Sequence, residues 1–475
     1  MKTYQALILP IILIVAASLL FSQESTHRHI TVLYTNDEHG WMEGMSENQG
    51  AAHLYELWRE EEGYTVDGSF LILSGGDNWT GPAISTWVEG ESMVEVMNAM
   101  QYDASAVGNH EFDFGLDALA ERAGEANFPY LSANTRWKVN ARVPEDLGIL
   151  PYTIQEINGI SIGIIGLTTR STPFTTNPVN VRDLAFINYE TAVRETMPAI
   201  AGTDLQFIVA HVCMEEMERL LPKIQDLGID LAGGGHCNEL TADKIGETIL
   251  LGGGFHFTAY ARASFEIDPQ SGSILASSFS THRNRGADPD PFVAGIVESW
   301  SQESADVLNE VMAWSETRVP QGPLLDQAII DSWLAFYPNA DIAITNRGGI
   351  RSALPQGEIT FSDIVSIMPF DNTIIVASVP GRVIAQALEG GGRPVAAGIT
   401  RSNGRWVFTQ SGQPMLPDQE YTLLLNSFMY AGGANFGAIA EADPAAFDTG
   451  VNYRQPFVEW LRNSNSSVSS PLTLE

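Results

Sequence analysis

The first two-thirds of the chain alternates short apolar runs with polar or amphipathic stretches. Each apolar run consists of β-branched or aliphatic residues and stops at a polar or glycine-rich turn, as strands do. The predicted strands are Ile30–Tyr34, Ser69–Leu73, Ala104–Val107, Ile160–Leu167, Leu205–Ala210, Leu231–Gly233 and Thr248–Leu251. Between several of these runs, helical spacing predicts helices at Ala51–Glu62, Ser92–Met100 and Met214–Leu227. Repeated strand-then-helix units predict an α/β fold whose strand-end loops carry the function.

The same pattern divides the chain into two large units. Residues 29–285 form the first, and residues 286–317 form a connector helix with one apolar face. Residues 318–462 form a second mixed α/β unit, so the chain is α+β overall. The Ser- and Asn-rich tail at 463–475 is predicted to be disordered. Because domains commonly contain about 100–200 residues, a chain of 475 residues has room for two or three.

Residues 1–22 have the pattern of an export signal. Lys2 supplies a positive charge, and the apolar run from Ala6 to Phe21 is shorter than the roughly 20 residues that span a membrane. An uncleaved N-terminal anchor is the alternative. We expect a periplasmic or extracellular protein with no stable membrane span after signal cleavage.

The chain is strongly acidic, with 25 basic against 58 acidic residues and a formal net charge of −33. Such a surface repels polyanions, so binding to nucleic acid polymers is not expected. The charge favours a soluble monomer or a loose homodimer. An anionic small-molecule substrate would need a local positive site, and bound metal ions would provide one.

Candidate chemistry lies at the ends of five predicted strands, where short clusters of Asp, His and Asn follow an apolar run. The clusters are Thr35-Asn36-Asp37-Glu38-His39-Gly40, Ser74-Gly75-Gly76-Asp77, Val107-Gly108-Asn109-His110-Glu111-Phe112-Asp113, Val209-Ala210-His211 and Gly234-Gly235-His236-Cys237-Asn238. Carboxylates and imidazoles fixed by rigid elements suit zinc, manganese or iron. Each cluster alone is a weak signal, but all five together predict a metal centre.

Taken in order, these motifs resemble the calcineurin-like metallophosphoesterases, and specifically their secreted 5′-nucleotidase / UDP-sugar hydrolase branch. The resemblance covers Ile30 to Arg462. It implies an N-terminal four-layer α/β/β/α sandwich and a C-terminal α/β substrate domain. It also implies two divalent metal ions, with zinc or manganese expected. The implied ligands are Asp37 and His39 for the first metal, Asp77 for both, Asn109, His211 and His236 for the second, and Asn238 completing the first.

Asn238 departs from the family pattern, which has His or Gln at this place. An amide oxygen can still bind a metal, but Asn is shorter than Gln. The resemblance further assigns His110 as the catalytic histidine, which stabilises charge developing on the phosphoryl group and the leaving oxygen. Asp113 would orient its imidazole. We expect Asn36 and Glu111 to support the ligands, and His256 to be a wall residue.

The second unit is expected to choose the substrate. The turn from Asn346 to Arg351 matches the family's Asn-x-Gly-Gly-x-Arg motif, with Arg351 binding the anionic substrate and Asn346 and Arg347 as further contacts. Phe428 takes the place of the aromatic that stacks on a nucleobase. The segment from Met368 to Asn372 resembles the family too, but is interpreted as scaffold.

Two departures weaken the assignment to nucleosides. Ala434 stands where the family commonly has an Asp that binds ribose hydroxyls, and residues 395–398 contain no aromatic for the second half of a base clamp. Loss of a hydroxyl acceptor relaxes discrimination for that hydroxyl.

The resulting functional prediction is a secreted metal-dependent phosphoesterase that releases phosphate from nucleotides by two-metal hydroxide attack. A 2′,3′-cyclic phosphodiesterase, a sugar-phosphatase and a UDP-sugar pyrophosphohydrolase remain alternatives on the same scaffold. A non-catalytic secreted binding protein is an alternative of another class. A sulfur-compound hydrolase is disfavoured because Asn109 and Asp113 keep the phosphatase form.

Two cysteines, Cys213 and Cys237, are too few for a disulfide framework. Both lie one or two residues from candidate site histidines. We interpret them as two small buried side chains, with a single disulfide or a weak influence on the metals as alternatives.

Overall fold

The computed structural model describes residues 28–46, 48–390, 392 and 394–474, so the predicted export signal at 1–22 lies outside the described residues. None of the helices in these ranges combines the length and the apolar character needed to cross a membrane. The helices are α1 (Ala51–Glu62), α2 (Ala83–Thr86), α3 (Glu91–Ala99), α4 (Leu116–Glu125), α5 (Thr172–Thr175), α6 (Tyr189–Ile200), α7 (Met214–Leu220), α8 (Pro291–Leu308), α9 (Pro323–Phe336), α10 (Phe361–Ile367), α11 (Gly381–Glu389), α12 (Ser427–Tyr430), α13 (Ala438–Ala442) and α14 (Gln455–Asn463).

The strands of the first unit are β1 (Arg28–Thr35), β2 (Phe70–Ser74), β3 (Ala104–Ala106), β4 (Tyr130–Leu131), β5 (Thr135–Trp137), β6 (Ile149–Leu150), β7 (Tyr152–Ile157), β8 (Ile160–Thr168), β9 (Leu184–Phe186), β10 (Leu205–His211), β11 (Leu231–Gly233), β12 (Leu240–Ile245), β13 (Thr248–Gly253), β14 (Ala259–Ile267) and β15 (Ile274–Arg283). Those that follow are β16 (Val311–Ser315), β17 (Ile342–Thr345), β18 (Gly357–Thr360), β19 (Thr373–Pro380), β20 (Val395–Ala397), β21 (Ile399–Ser402), β22 (Arg405–Phe408), β23 (Glu420–Asn426) and β24 (Phe447–Asn452). All seven predicted strands form, within one or two residues of the predicted bounds.

Two large sheets pack face to face in the first unit. One has seven strands in the order β15-β14-β1-β2-β3-β4-β6, and the other has six in the order β12-β13-β11-β10-β8-β7. Alternate residues of each strand fill the space between the sheets, such as Ile30, Val32 and Tyr34 on β1 and Phe207 and Val209 on β10. This period of two follows from strand geometry, in which successive side chains point to opposite faces.

Helices cover the outer faces of both sheets. The first sheet packs against α1, α3, α4 and α8, and the second packs against α6 and α7. The order of layers is therefore helix, sheet, sheet, helix, and the predicted α/β/β/α sandwich is confirmed. In the second unit a five-stranded sheet, β20-β17-β23-β19-β24, is covered by α9, α10 and α14 on one face and by α11 and α13 on the other.

The connector helix is shorter than predicted. Of residues 286–317, only α8 is helical, and it begins where the Asp290 side chain accepts hydrogen bonds from the backbone N–H groups of Phe292 and Val293 at 3.0 and 2.8 Å. The end of the predicted connector is β16, which pairs with β18 of the second unit. The helix predicted over 214–227 likewise ends at Leu220, because Pro222 cannot donate to the helical hydrogen-bond ladder.

The predicted disorder of the tail is wrong for residues 464–474. Leu472 N donates to Trp314 O at 2.7 Å, and Leu472 and Leu474 pack against the core under α9 and α14. The composition of the segment is mostly polar, but its two leucines pack against the core of the second unit.

We therefore predict that replacing Leu472 and Leu474 together by Ala lowers the free energy of unfolding of the second unit by about 1–3 kcal/mol, because their partly buried side chains return to water. Differential scanning calorimetry measures the effect. The matched control is Val468→Ala, since Val468 is 80% exposed and should leave the melting temperature unchanged. Equal melting temperatures for the double variant and the control would show that the tail contributes no packing.

Candidate metal centre and substrate cleft

The candidate ligands lie where parallel strands of both sheets end. Asp37 and His39 follow β1, Asp77 follows β2, and Asn109 follows β3 in the first sheet. In the second sheet His211 ends β10 and His236 follows its parallel neighbour β11. His211 Nδ1 donates across the two sheets to Gly75 O at 2.9 Å, which brings the two strand-end edges together.

Five of the predicted ligands have a left-handed backbone. The φ angles are 55° at Asp37, 47° at His39, 61° at Asp77, 71° at His236 and 59° at Asn238. A non-glycine residue in this region costs roughly 1–3 kcal/mol, and it persists only where the surroundings enforce it. Backbone hydrogen bonds enforce it here at Asp37 N, which donates to Gly76 O at 3.0 Å, and at His39 N, which donates to Asp77 O at 2.9 Å.

The side chains form two overlapping clusters that share one carboxylate. His39, Asp77 and His110 make one, and Asp77, His211 and His236 make the other; within each cluster the potential ligand atoms lie within 4.8 Å of one another. His211 Nε2 lies 2.9 Å from Asp77 Oδ2, and His39 Nε2 lies 3.9 Å from the same oxygen. Asp37 Oδ1 lies 3.8 Å from His39 Nε2. A carboxylate between two histidine-bearing clusters has the geometry of a bridging ligand.

Hydrogen bonds orient the imidazoles toward this centre. Nδ1 of His39 donates to Thr80 O at 3.0 Å, and Nδ1 of His211 donates to Gly75 O, so Nε2 of each ring faces the carboxylates. Burial, together with the charge of Arg351, holds the pKa of His39 well below its usual value. Burial and the neighbouring His211 lower the pKa of His236 to about 4. The rings of His39 and His236 are therefore neutral at pH 7 and offer lone pairs.

A buried oxygen without a hydrogen-bond partner indicates that a metal ion fits this set of candidate ligands. Asn109 Oδ1 is buried and has no hydrogen-bond partner, although its Nδ2 donates to Thr175 O at 3.3 Å. An unpaired buried carbonyl oxygen costs about 1–3 kcal/mol, and a cation would satisfy it. Burial and the nearby Asp77 also raise the pKa of Asp37 to about 6, as two close carboxylates require in the absence of a cation. Asn238 lines the same cleft but is exposed.

His110 and Asp113 form a dyad beside the clusters. His110 Nδ1 lies 2.6 Å from Asp113 Oδ2, and Thr176 Oγ1 donates to the other oxygen of Asp113 at 2.8 Å. Burial lowers the pKa of His110, but Asp113 and Asp77 outweigh it and the net pKa is raised. His110 Nε2 lies 4.0 Å from Asp77 Oδ2 and thus faces the shared carboxylate.

Two buried side chains support the ligand loops, as expected for Asn36 and Glu111. Glu111 accepts backbone hydrogen bonds from Asp77 N, Asn78 N and Gly108 N at 2.9, 2.6 and 2.6 Å. Asn36 accepts from Gly253 N at 2.6 Å and donates to Gly254 O at 2.7 Å. Only glycine fits at Gly108, because a Cβ there would lie 2.1 Å from Asp77 Oδ1.

A cleft of about 340 Å³ joins the metal clusters to the second unit. Asn346, Arg351 and Phe428 line it, as does Ala434. The Arg351 charge depresses the pKa of His39 and of His256, so its guanidinium lies close to them. Within the described ranges, Arg351 has no carboxylate partner. The cleft thus presents one unneutralised cation beside the candidate metal ligands.

Arg347 does not reach this cleft. Its Nε lies 3.1 Å from Asp326 Oδ2, and the resulting ion pair holds the side chain on α9. The Arg347 side chain is therefore not part of the cleft lining in this structure, and its contact with the substrate stays a prediction. His256 stacks on Trp41 with ring centroids 5.0 Å apart and an interplanar angle of 27°, consistent with a wall residue.

Several cleft residues escaped sequence reasoning. Phe370 was interpreted as scaffold, yet its ring stacks on His110 with centroids 5.7 Å apart, and Asp371 and Asn372 line the cleft beside it. Residues 174–177 line the cleft from the first unit. They lie in the polar segment after β8, partly in α5, at the same sheet edge as the ligands, and this position was the signal in the sequence.

Cys213 and Cys237 form a disulfide with a Cα–Cα distance of 5.1 Å. The leading interpretation of two separate buried thiols is wrong, and the alternative of a single disulfide is confirmed. Cys237 is exposed.

Comparison with known proteins supports the resemblance seen in the sequence. The family model "5′-nucleotidase, C-terminal domain" matches residues 304–441. A human 5′-nucleotidase is 26% identical over 87% of this chain and 84% of its own length. The trifunctional nucleotide phosphoesterase protein YfkN of Bacillus subtilis is 26% identical over 93% of this chain and 34% of its own length.

Solved structures share the fold. The 5′-nucleotidase precursor from Thermus thermophilus has a TM-score of 0.79 at 23% identity, covering 94% of this chain and 98% of that one. The calcineurin-like phosphoesterase YfkN from Bacillus subtilis has a TM-score of 0.52 at 19% identity, covering 59% of this chain and 98% of that one. The predicted fold class is confirmed over both units.

The Glu111 contacts give a stability prediction. In Glu111→Gln an amide N–H₂ replaces one carboxylate oxygen and faces a backbone donor, so we expect a loss of about 1–3 kcal/mol in unfolding free energy. Chemical denaturation of the metal-free chain measures it. Glu60→Gln is the matched control on exposed surface and should change stability by less than about 0.5 kcal/mol. An unchanged unfolding free energy for Glu111→Gln would contradict the supporting role of Glu111.

Proposed function

The chain is a relative of the 5′-nucleotidases that have the calcineurin-like phosphoesterase fold, and on that premise we propose that it is a secreted, metal-dependent hydrolase releasing phosphate from nucleotides. The observation that carries the proposal is the Asp77 carboxylate shared by two histidine-bearing clusters, in a cleft that also contains the Arg351 guanidinium. Residues 29–285 are the catalytic unit in this proposal, and residues 318–462 are the substrate unit.

The metal centre is assigned to side chains of the catalytic unit. Asp37, His39 and Asn238 would hold the first cation, and Asn109, His211 and His236 would hold the second. Asp77 would contribute to both. A pair of divalent cations, zinc or manganese, supplies Lewis-acid charge and acidifies a water molecule. The neutral state of His39 and His236 and the unpaired Asn109 Oδ1 support this assignment.

His110 is the proposed proton donor and charge stabiliser. With Nδ1 bound to Asp113, its Nε2–H points into the cleft, and the raised pKa keeps a larger fraction of the ring protonated. Stacking of Phe370 on the imidazole excludes water from one face of the ring. Asp113 fixes the orientation of His110 and is itself fixed by Thr176.

The substrate unit recognises the rest of the molecule. Arg351 binds the anionic group through its planar fork, and Phe428 stacks on a flat base. Asn346 is held in place by Asn426, whose Nδ2 donates to Asn346 Oδ1 at 2.9 Å. Ala434 presents a methyl group to the cleft and cannot accept from a ribose hydroxyl. Sugar-phosphate and cyclic-nucleotide hydrolysis therefore stay as second candidates.

A location outside the cytoplasm is part of the proposal. The disulfide between Cys213 and Cys237 supports it, because structural disulfides persist in oxidising compartments. The bulk negative charge supports a small-molecule substrate over a nucleic acid polymer.

The direct test is phosphate release from AMP, ribose 5-phosphate, a 2′,3′-cyclic nucleotide and a UDP-sugar, with and without chelator. We expect turnover of AMP, abolished by EDTA and restored by zinc or manganese in excess, with about two metal equivalents per active chain. AMP hydrolysis that survives complete metal removal would overturn the proposal. Equal rates on AMP and ribose 5-phosphate would exclude base recognition and favour a sugar-phosphatase.

Substrate anchoring gives a separate prediction. We expect Arg351→Ala to lower kcat/KM for AMP about 10- to 100-fold, since a charge-assisted hydrogen bond is worth about 1.5–3 kcal/mol. Steady-state kinetics of the holoenzyme measures it. Arg382→Ala is the control, because Arg382 is a surface residue with 60% of its side chain exposed and should retain wild-type kcat/KM. Equal kinetics for both variants would remove Arg351 from the binding site.

A further inference from the structure

We propose that the Cys213–Cys237 disulfide holds His236 in its position beside His211 in the second metal site. This inference rests on the proposed function, because it assigns a role at the proposed metal centre. The disulfide joins the turn after β11, which carries His236, to the short segment after β10, whose last residue is His211. Its cysteines lie two positions after His211 and one position after His236. His211 Nε2 and His236 Nδ1 lie 3.2 Å apart, so the link is close to the space that a cation would occupy.

The two segments that the disulfide joins differ in how firmly the rest of the fold holds them. His211 is the last residue of β10, and its ring is fully buried and bonded to Gly75 O. The segment around Cys237 leaves β11 and runs along the surface. It is attached at its start, where Gly235 N donates to Val212 O at 3.0 Å, and at its end, where Glu239 accepts from Met214 N at 3.0 Å.

Between these attachments the backbone is strained. His236 and Asn238, on either side of Cys237, have φ angles of 71° and 59°. Over residues 236–238 the backbone, as far as it is described, makes no hydrogen bond. Strain of roughly 1–3 kcal/mol for each such residue persists only where neighbouring structure enforces it. The covalent bond to Cys213 is the constraint that lies at the centre of the strained segment.

The physical consequence falls on the two candidate ligands of this turn, which are His236 of the second site and Asn238 of the first. Without the disulfide, the turn at 236–238 is free to relax, and His236 loses its fixed distance from His211 and Asp77. His39 and Asp37 depend on β1 and on backbone bonds to Gly76 and Asp77, which the disulfide does not touch. Supporting contacts around metal ligands commonly contribute about 10- to 100-fold in affinity.

The experiment compares the two sites one at a time. Metal-free chain is titrated with Co²⁺, and the visible absorption bands report occupancy and coordination independently of turnover. In a His39→Ala background, which leaves the second site, we expect the Cys213→Ser/Cys237→Ser double change to raise Kd for Co²⁺ about 10- to 100-fold and to alter the band positions. In a His236→Ala/Asn238→Ala background, which removes both ligands of the turn and leaves Asp37, His39 and Asp77, the same double change should alter Kd by less than about threefold.

A second way of opening the disulfide controls for misfolding of the serine variant. The folded oxidised chain is reduced with a phosphine and alkylated, and it should show the same selective loss as the serine variant. An unchanged Kd in the His39→Ala background, or equal losses in the two backgrounds, would overturn the positioning role. Failure of the oxidised wild-type chain to bind two Co²⁺ ions would instead overturn the proposed function, and the inference with it.

Discussion

The Asp77 carboxylate is the group on which the arrangement of the first unit depends. It follows β2 of the first sheet, yet its Oδ2 lies 2.9 Å from Nε2 of His211, which ends a strand of the second sheet. Its other oxygen accepts from the backbone N–H of His110 at 2.8 Å. One buried anion therefore holds together both sheets and the dyad loop. Desolvation of this anion is offset by histidines, which lower the pKa of Asp77 well below its usual value.

The second unit completes the site from the opposite side. Ala83 N, at the start of α2, donates to Ser366 Oγ on α10 at 3.1 Å, and Ala83, Leu308 and Val365 form a small apolar cluster between the units. Leu308, at the C-terminal end of α8, belongs to this cluster, whereas Val293 near its N-terminal end packs in the core of the first unit. Phe370 and Arg351 approach the ligands from the same side. The candidate metal ligands and the side chains proposed to recognise the substrate are thus encoded on separate stretches of chain, and they meet only after both units fold.

The sequence predicted the parts of the fold that are locally determined. α1 has the predicted bounds because its apolar residues recur at helical spacing and Gly63 follows it. β11 has the predicted bounds because its short apolar run ends at glycines. Short strands such as β4 and β6, with two residues each, carry too little periodicity to be recognised and form through pairing with neighbours. The sequence did not predict the order of strands in either sheet, because contacts between residues far apart in the chain determine that order.

The candidate ligands were found because they follow strands in short motifs, whereas the rest of the cleft required three dimensions. The sequence indicates a scaffold role for Phe370, and only the structure shows its ring stacked on His110. The motif predicts a substrate contact for Arg347, and only the structure shows its ion pair with Asp326. The pairing of Cys213 with Cys237 depends on two loops from different strands approaching each other. In each case the deciding neighbour is remote in sequence.

The left-handed backbone at Asp37, His39, Asp77, His236 and Asn238 limits how this centre can change. Asp, Asn and His are the non-glycine residues that adopt this conformation most readily, and they are also good metal ligands. Backbone geometry and coordination chemistry therefore select the same three residue types. An Asn at 238 in place of a longer Gln is compatible with that double selection. Exchanging these ligands for Glu or Cys to favour another metal would incur a conformational penalty before any gain in coordination.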